Sequence, residues 1–238
     1  LLSHDATVEP GSLGPMVAYM DSHPRIGVLA PALRYPDGSA QVSAWRFPTP
    51  AVAALGALTL ARAGVVQSAA KEPRAVDWAM GAALLIRRSA LDEIGLFDEG
   101  FFLYSEETDL CRRLRAAGYE TRFFPGATVV HHDSRLRADV PKERINEEWR
   151  SRHRYWRKYH SPLGVRAAAL LTGFQYAARA AIATVILRLP ETRRPLALPP
   201  TMPARMRYHA RCAWLGPSGR GLRELAEDWN RRHWPAEE

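Results

Sequence analysis

The spacing of apolar positions changes several times along the chain, and each change marks an element. Residues 12–23 predict a short helix, and the apolar run Ile26 to Leu33 has the length of a strand and stops before the turn Pro36-Asp37-Gly38. The Ala- and Leu-rich stretch from Ala51 to Ala63 predicts a helix ended by Gly64, and Ala83 to Arg87 predicts a buried strand. Ser89 and Ser105 stand where helix N-caps belong: the first predicts a short helix ending at Gly95, the second a longer one through Leu110 and Leu114 ending at Gly118. Tyr119 to Phe124 and Ala127 to His131 predict two further strands. Strands alternating with helices predict a largely parallel α/β sheet, with ligands at the carboxyl ends of its strands.

Past Ser134 the pattern turns helical throughout. A polar, basic helix is expected from about Pro141 to Tyr159, and an apolar stretch follows from Leu163 to Leu189. That stretch is long enough to span a bilayer, but Arg166, Gln175, Arg179 and Arg188 recur through it. An arginine at mid-bilayer costs roughly 3 kcal/mol, so an interfacial helix is expected rather than a spanning one. The proline-rich segment Pro190 to Pro203 reads as a linker, with two short helices after it at Ala204 to Trp214 and Gly221 to His233. Two regions are therefore expected, residues 1–134 and residues 135–238.

Charge sharpens that division. The formal net charge is +8, but residues 1–134 hold 12 Lys and Arg against 15 Asp and Glu, whereas residues 135–238 hold 21 against 10. A basic, Arg-rich second region suits an acidic membrane surface, a phosphorylated ligand or nucleic acid. Nucleic acid is disfavoured: Trp149, Tyr155, Trp156 and Tyr159 are interleaved with arginine at helical spacing, which suits packing on a core better than a stacking platform. The two cysteines, Cys111 and Cys212, match no zinc spacing and no disulfide framework, which fits a reducing cytosolic compartment.

Three clusters could carry chemistry. Tyr104-Ser105-Glu106-Glu107-Thr108-Asp109 places carboxylates at a helix N-terminus, where the ionised form is favoured; they serve there either as helix-capping acids or as a general base. His131-His132 ends an apolar strand ahead of Asp133, a combination that suits Mg2+ or Mn2+ beside a phosphate but also an ordinary strand end. Asp5, after Leu1-Leu2, is either a metal ligand or a turn former.

The order of these pieces resembles family 2 glycosyltransferases of the rhamnosyltransferase-like type. The resemblance runs through Leu2-Ser3-His4-Asp5, Val8-Glu9-Pro10-Gly11, Tyr35-Pro36-Asp37-Gly38, Phe47-Pro48-Thr49, Asp77-Trp78-Ala79-Met80-Gly81-Ala82, Gly95-Leu96-Phe97-Asp98-Glu99, Glu106-Glu107-Thr108-Asp109-Leu110-Cys111 and Gly118-Tyr119. It covers roughly residues 1–160. It implies a partial GT-A (nucleotide-diphospho-sugar transferase) α/β fold with a basic α-helical C-terminal tail. Residues 1–134 would be the acceptor-side part, and residues 135–238 a membrane-proximal helical region. The segment with which such enzymes hold the nucleotide base and ribose would lie before Leu1.

The resemblance also implies roles. Asp5 matches the last acid of the family's metal-binding motif, with Ser3 where its first acid would stand. Glu107 matches the catalytic base, beside Glu106. His131, with His132 as the alternate, matches the third metal ligand, and Trp78, Gly81 and Asp109 fall on the substrate side. The implied reaction is inverting transfer of a sugar, rhamnose being the first expectation, from a nucleotide-sugar to a lipid-linked or polysaccharide acceptor, with Mg2+ or Mn2+ as cofactor. The implied place is cytoplasmic, peripheral at the inner face of the cell membrane, against an anionic surface and without nucleic acid. The alternative is a non-catalytic membrane-surface protein that keeps the fold without a complete donor site.

Overall fold

A computed structural model describes residues 1–60, 65–132, 140–195 and 198–233. In chain order the elements are β1 (Ala6–Val8), α1 (Leu13–Asp21), β2 (Ile26–Arg34), β3 (Ala40–Gln41), β4 (Ala44–Trp45), α2 (Pro50–Thr59), β5 (Arg74–Val76), β6 (Trp78–Ala79), β7 (Leu85–Ile86), α3 (Arg88–Ile94), α4 (Glu106–Ala116), β8 (Glu120–His131), α5 (Lys142–Tyr159), α6 (Pro162–Arg188), α7 (Met202–Leu215) and α8 (Leu222–His233). They form two compact units. The first comprises Leu1–Phe47, Ala63–Gly100 and Glu106–Ser134; the second takes Pro48–Arg62 and Phe101–Ser105 as well as Arg135–Glu238.

The first unit is mixed α/β. Its six-stranded sheet runs β1-β8-β2-β3, with β5 added on β8 and β7 on β2, and β4 and β6 form a separate pair. Only β2 and β8 are parallel among the described strands; every other pairing is antiparallel, which corrects the expected parallel sheet. In this sheet the β2–β3 pair is a turn-joined hairpin, whereas β1, β5 and β7 are short strands that add antiparallel to β8 or β2 from distant parts of the chain. β2 is buried on both faces, as its unbroken apolar run requires. Val28 and Ala30 pack with Leu110 and Leu114 of α4, whereas Leu29 packs with Met16 and Met20 of α1.

Two expected strands prove to be one. β8 is continuous from Glu120 to His131, but its register against β2 jumps between the pairs Pro31–Phe124 and Ala32–Thr128. Pro125 and Gly126 fall in this irregularity, where a residue without a ladder N–H is tolerated. Other boundaries shift as well. α3 begins at Arg88, so Ser89 lies inside the helix rather than capping it. Ser105 takes φ 65°, outside the extended backbone an N-cap residue normally has. α2 ends at Thr59 with Leu60 in the left-handed region, and Gly64 lies outside the described residues.

The second unit is helical. The face of α6 that is covered carries Ala168, Ala169, Thr172, Gly173, Ala180 and Ala183, small residues that allow close approach of α2 and α7. Trp149, Tyr155 and Trp156 of α5 are 1–2% exposed, so the aromatics interleaved with arginine are core residues and offer no stacking surface. The indole N–H of Trp156 donates to the Pro48 carbonyl, and the Ser151 hydroxyl to that of Leu103. α8 is tied to α5 by Arg150 and Glu224 at 2.6 Å and by Asn146, whose amide donates to the Ser218 and Arg220 carbonyls. The proline-rich segment between α6 and α7 contains a 3-10 turn, Glu191–Arg193.

By length and composition α6 could cross a membrane: 27 residues, with mean hydropathy 1.4 over its most apolar window, of which 17% is buried. Its exposed residues fall on one side. Leu163, Leu170, Phe174, Ile182 and Val185 recur at intervals that keep them within one face, flanked by exposed Arg166 and Arg188.

Candidate active site

The first three residues lie antiparallel to Ala82–Leu84. Ser3 N–H donates to the Ala82 carbonyl, Leu84 N–H to the Leu1 carbonyl, and Leu2 bridges Ala83. β1 then pairs with the end of β8, setting Ala6 opposite His131, and His132 N–H donates to the Asp5 carbonyl. Two stretches far apart in sequence, Ser3 to Asp5 and Val130 to His132, thereby become neighbours at one end of the sheet.

There the side chains of Asp5 and His131 meet. His131 is 7% exposed, and its Nε2 lies 3.4 Å from Asp5 Oδ1. Its Nδ1 lies 3.0 Å from Gln41 Oε1. An amide oxygen can only accept, so Nδ1 carries a hydrogen toward Gln41 and Nε2 faces Asp5. Ser3 Oγ donates to the same Asp5 oxygen at 2.5 Å. Burial pushes the Asp5 carboxyl up, but the Ser3 bond and the neighbouring His131 outweigh it and hold the group below the usual carboxylate range.

A carboxylate kept ionised beside an imidazole nitrogen is a donor set that would fit a divalent cation once that nitrogen is free of its proton. No cluster of three or more His, Cys, Asp or Glu around one point exists among the described residues, so these supply Asp5 and His131 there. His132, next along the strand, is exposed on the other side and reaches Asp5 only through its backbone.

The second group sits at the start of α4. Glu106 and Glu107 are hydrogen-bonded to each other, Glu107 is 8% exposed, and Glu106 Oε2 is buried with no hydrogen-bond partner among the described residues. Burial raises the Glu106 carboxyl above its ordinary value, against the hydrogen bonds from its own backbone and from Glu107 that lower it. Just before them Tyr104 and Ser105 both take positive φ, 67° and 65°. Each such residue costs roughly 1–2 kcal/mol, and consecutive strained positions next to reactive groups are characteristic of sites the surrounding structure holds in place.

Gly81 connects this pair to the chain start. A Cβ built on it would lie 3.6 Å from Leu1 Cδ2 and 3.8 Å from Glu107 Cβ, ordinary contact distances, so Gly81 lies against both residues. Trp78 stacks on Trp45 with centroids 4.7 Å apart and donates its indole N–H to the Arg46 carbonyl. Asp77 braces the same loop by accepting the Phe47 N–H and pairing with Arg115 at 3.1 Å.

Asp109 is placed differently. It is 0% exposed, and its Oδ2 lies 2.8 Å from Arg113 Nε, while the rest of that guanidinium donates to the Ile94, Gly95 and Leu96 carbonyls. Its carboxylate faces the protein and braces the loop after α3, so it is not offered to a substrate. Cys111 is likewise no nucleophile: burial pushes its thiol up to about 11. Gln41, which orients His131, was not legible from sequence, because nothing in a two-residue strand after a turn distinguishes a functional amide from a surface one.

Comparison with known proteins fits this arrangement. The family model for glycosyl transferase family group 2 matches residues 1–215, and the chain belongs to that family. It is similar to the N-acetylglucosaminyl-diphospho-decaprenol L-rhamnosyltransferase of Mycobacterium tuberculosis, 31% identical over 160 residues, which is 64% of this chain and 52% of that protein. The rhamnosyltransferase WbbL of Escherichia coli is 40% identical over 63 residues, 25% of this chain and 24% of the relative. The chain thus spans about half the length of the first relative and less of the second. Among solved structures, GalNAc-T7 with UDP, GalNAc and Mn2+ matches 97% of this chain and 40% of its own at 17% identity, with a TM-score of 0.39.

Proposed function

We propose that the chain forms the acceptor side of an inverting glycosyltransferase that moves a sugar, rhamnose first among the candidates, from a nucleotide-sugar to a lipid-linked glycan of the cell envelope. The observation that carries this reading is the pair of acids at the start of α4, with Glu107 buried, the Glu106 carboxyl raised by burial, and Gly81 lying against Glu107. Family membership and the relatives named for rhamnosyl transfer support it.

In the proposed reaction Glu107 takes the proton of an acceptor hydroxyl, and that oxygen attacks the anomeric carbon from the side opposite the leaving group. The bond from that carbon to the nucleoside diphosphate breaks, the diphosphate leaves with the electron pair, and configuration inverts. Glu106 lies beside Glu107, while Trp78 and Gly81 position the sugar. Asp5 and His131 would hold a divalent ion, Mg2+ or Mn2+, with His132 contributing only its backbone. Bound there, the ion supplies Lewis-acid neutralisation of charge on the diphosphate. The exposed apolar face of α6 and the basic second unit support a peripheral position on an anionic membrane, at its cytoplasmic face.

The test is transfer from dTDP-rhamnose and a panel of other nucleotide-sugars to a lipid-linked N-acetylglucosamine acceptor, in Mg2+ or Mn2+, for the protein and its Glu107→Gln variant. Transfer lost in the variant with donor binding retained supports the assignment. Undiminished transfer in the variant overturns the role of Glu107. A protein that binds no donor and still sediments with anionic vesicles favours the non-catalytic membrane-surface reading.

A further inference from the structure

Between α3 and α4 the chain runs through a short strap, Phe101–Ser105, which belongs to the helical unit. Within that unit α5 holds the strap at several points. The Ser151 hydroxyl donates to the Leu103 carbonyl at 2.7 Å, and Arg144 Nε donates to the Tyr104 hydroxyl at 2.5 Å. Phe101, 5% exposed, lies under two cations of the same helix, the Arg154 guanidinium 5.1 Å and the Lys158 ammonium 5.8 Å from its ring centre. Arg144, Ser151, Arg154 and Lys158 follow one another at intervals of seven, three and four residues, so a single face of α5 makes all of these contacts.

The strap ends in the two residues with positive φ, Tyr104 at 67° and Ser105 at 65°. Neither is a glycine, so neither conformation persists without contacts that hold it. The bonds from α5 fall on Leu103 and Tyr104, directly before and within that pair. Ser105 is joined by its peptide bond to Glu106, the first residue of α4, so the backbone angles at Tyr104 and Ser105 set where the turn carrying Glu107 begins. A relaxed strap returns both residues to negative φ, a swing of roughly 120° about each N–Cα bond, and redirects the start of α4.

We infer that Ser151, Arg144 and Tyr104 are positioning residues for the proposed base: α5 clamps the strap in a conformation it would not hold alone, and the clamp sets the direction of Glu107. The catalytic consequence rests on the proposed role of Glu107, but the effect of the clamp on the first turn of α4 is measured without any sugar transfer.

The test uses Ser151→Ala and Tyr104→Phe, each of which removes one bond of the clamp without adding bulk, alone and combined with Ser105→Gly. Each clamp variant is expected to lower kcat by about 10-fold or more with the donor KM unchanged, since misplacing a reacting group by about 1 Å can cost about 100-fold. In the Ser105→Gly background the same changes should cost about 3-fold or less, because glycine keeps the left-handed backbone without help. An unchanged kcat, a loss that falls on the donor KM instead, or an equal loss in both backgrounds overturns the proposal. Hydrogen exchange at the Leu110 and Cys111 amides, which bond the Glu106 and Glu107 carbonyls in the helical ladder, needs no reaction. It should quicken in both clamp variants and slow again when Ser105→Gly is added; exchange equal to that of the unaltered protein throughout refutes the clamp. Should Ser151→Ala not fold, Tyr104→Phe, which loses a single half-buried hydroxyl, carries the comparison. If the unaltered protein transfers no sugar from any donor, the glycosyltransferase reading fails and the exchange rates still decide the clamp.

Discussion

His131 is held from one side by Gln41, 3.0 Å from its Nδ1, and presents Nε2 to Asp5 at 3.4 Å on the other. The amide fixes the plane of the ring, so the direction in which Nε2 faces Asp5 depends on a residue that would touch no metal itself. Outer-shell partners of this kind typically contribute 10- to 100-fold to metal affinity, and Gln41→Leu is expected to weaken Mn2+ binding by about that factor. His131→Ala should remove measurable binding altogether. Calorimetric titration of Mn2+ checks both, and affinity unchanged in the two variants would take His131 out of the metal site.

The buried pair of Asp109 and Arg113 gives the second expectation. Asp109 has no exposed surface, and removing its partner leaves an uncompensated buried charge, which typically costs about 3–5 kcal/mol. Arg113→Met should therefore lower the melting temperature strongly and loosen the Gly95–Leu96 loop whose carbonyls Arg113 holds. Asp109→Asn should also act on stability, leaving the KM for donor unaltered in the folded fraction. A variant with normal melting and a raised donor KM would restore Asp109 to the substrate side.

That contrast marks how far the sequence could be read. Regular patterns survived contact with the structure: the helices at Glu106–Ala116 and Lys142–Tyr159 and the buried strand at Ile26–Arg34 each follow from a repeating apolar period and a clear stop. Pairing did not, because whether short strands join in parallel depends on which neighbour each meets. β8 looked like two strands because Pro125 and Gly126 carry local signals for a turn, which ladder contacts on both sides override. That Glu106 and Glu107 stand at a helix start was legible from the sequence. The direction of Asp109 was not: it sits on the same helix, and a few residues of rotation decide whether an acid faces a ligand or an arginine.

Gly173 gives a third expectation, in the helical unit. A Cβ at this position of α6 would fall 2.0 Å from Trp214 Nε1, so the indole lies against the bare glycine. Trp214 also donates to the Leu170 carbonyl at 3.2 Å, a bond it must give up to move aside. Gly173→Ala should destabilise the α6–α7 packing by about 1–3 kcal/mol, in spite of the better helix propensity of alanine. Hydrogen exchange along α7 reads this directly: faster exchange there is expected, and exchange equal to that of the unaltered protein would mean that the indole has room elsewhere.

The last expectation concerns pH and follows from the burial of Glu106 beside Glu107. Burial raises the Glu106 carboxyl above 4.5, its value when exposed. The folded protein thus keeps a proton that the unfolded chain releases, and this group's contribution to stability falls as pH rises from about 4.5 through the higher folded value. Glu106→Gln removes the titration. Its melting temperature, relative to the unaltered protein, should climb across that window and level off above it. The glutamine amide can also donate to Glu107 where a carboxylate could only compete with it for charge, which favours the ionised base. The acid limb of the transfer rate should then move to lower pH. Parallel melting curves and an unmoved acid limb, measured on the same two proteins, would mean that the two carboxyls titrate independently and that Glu107 does not depend on its neighbour.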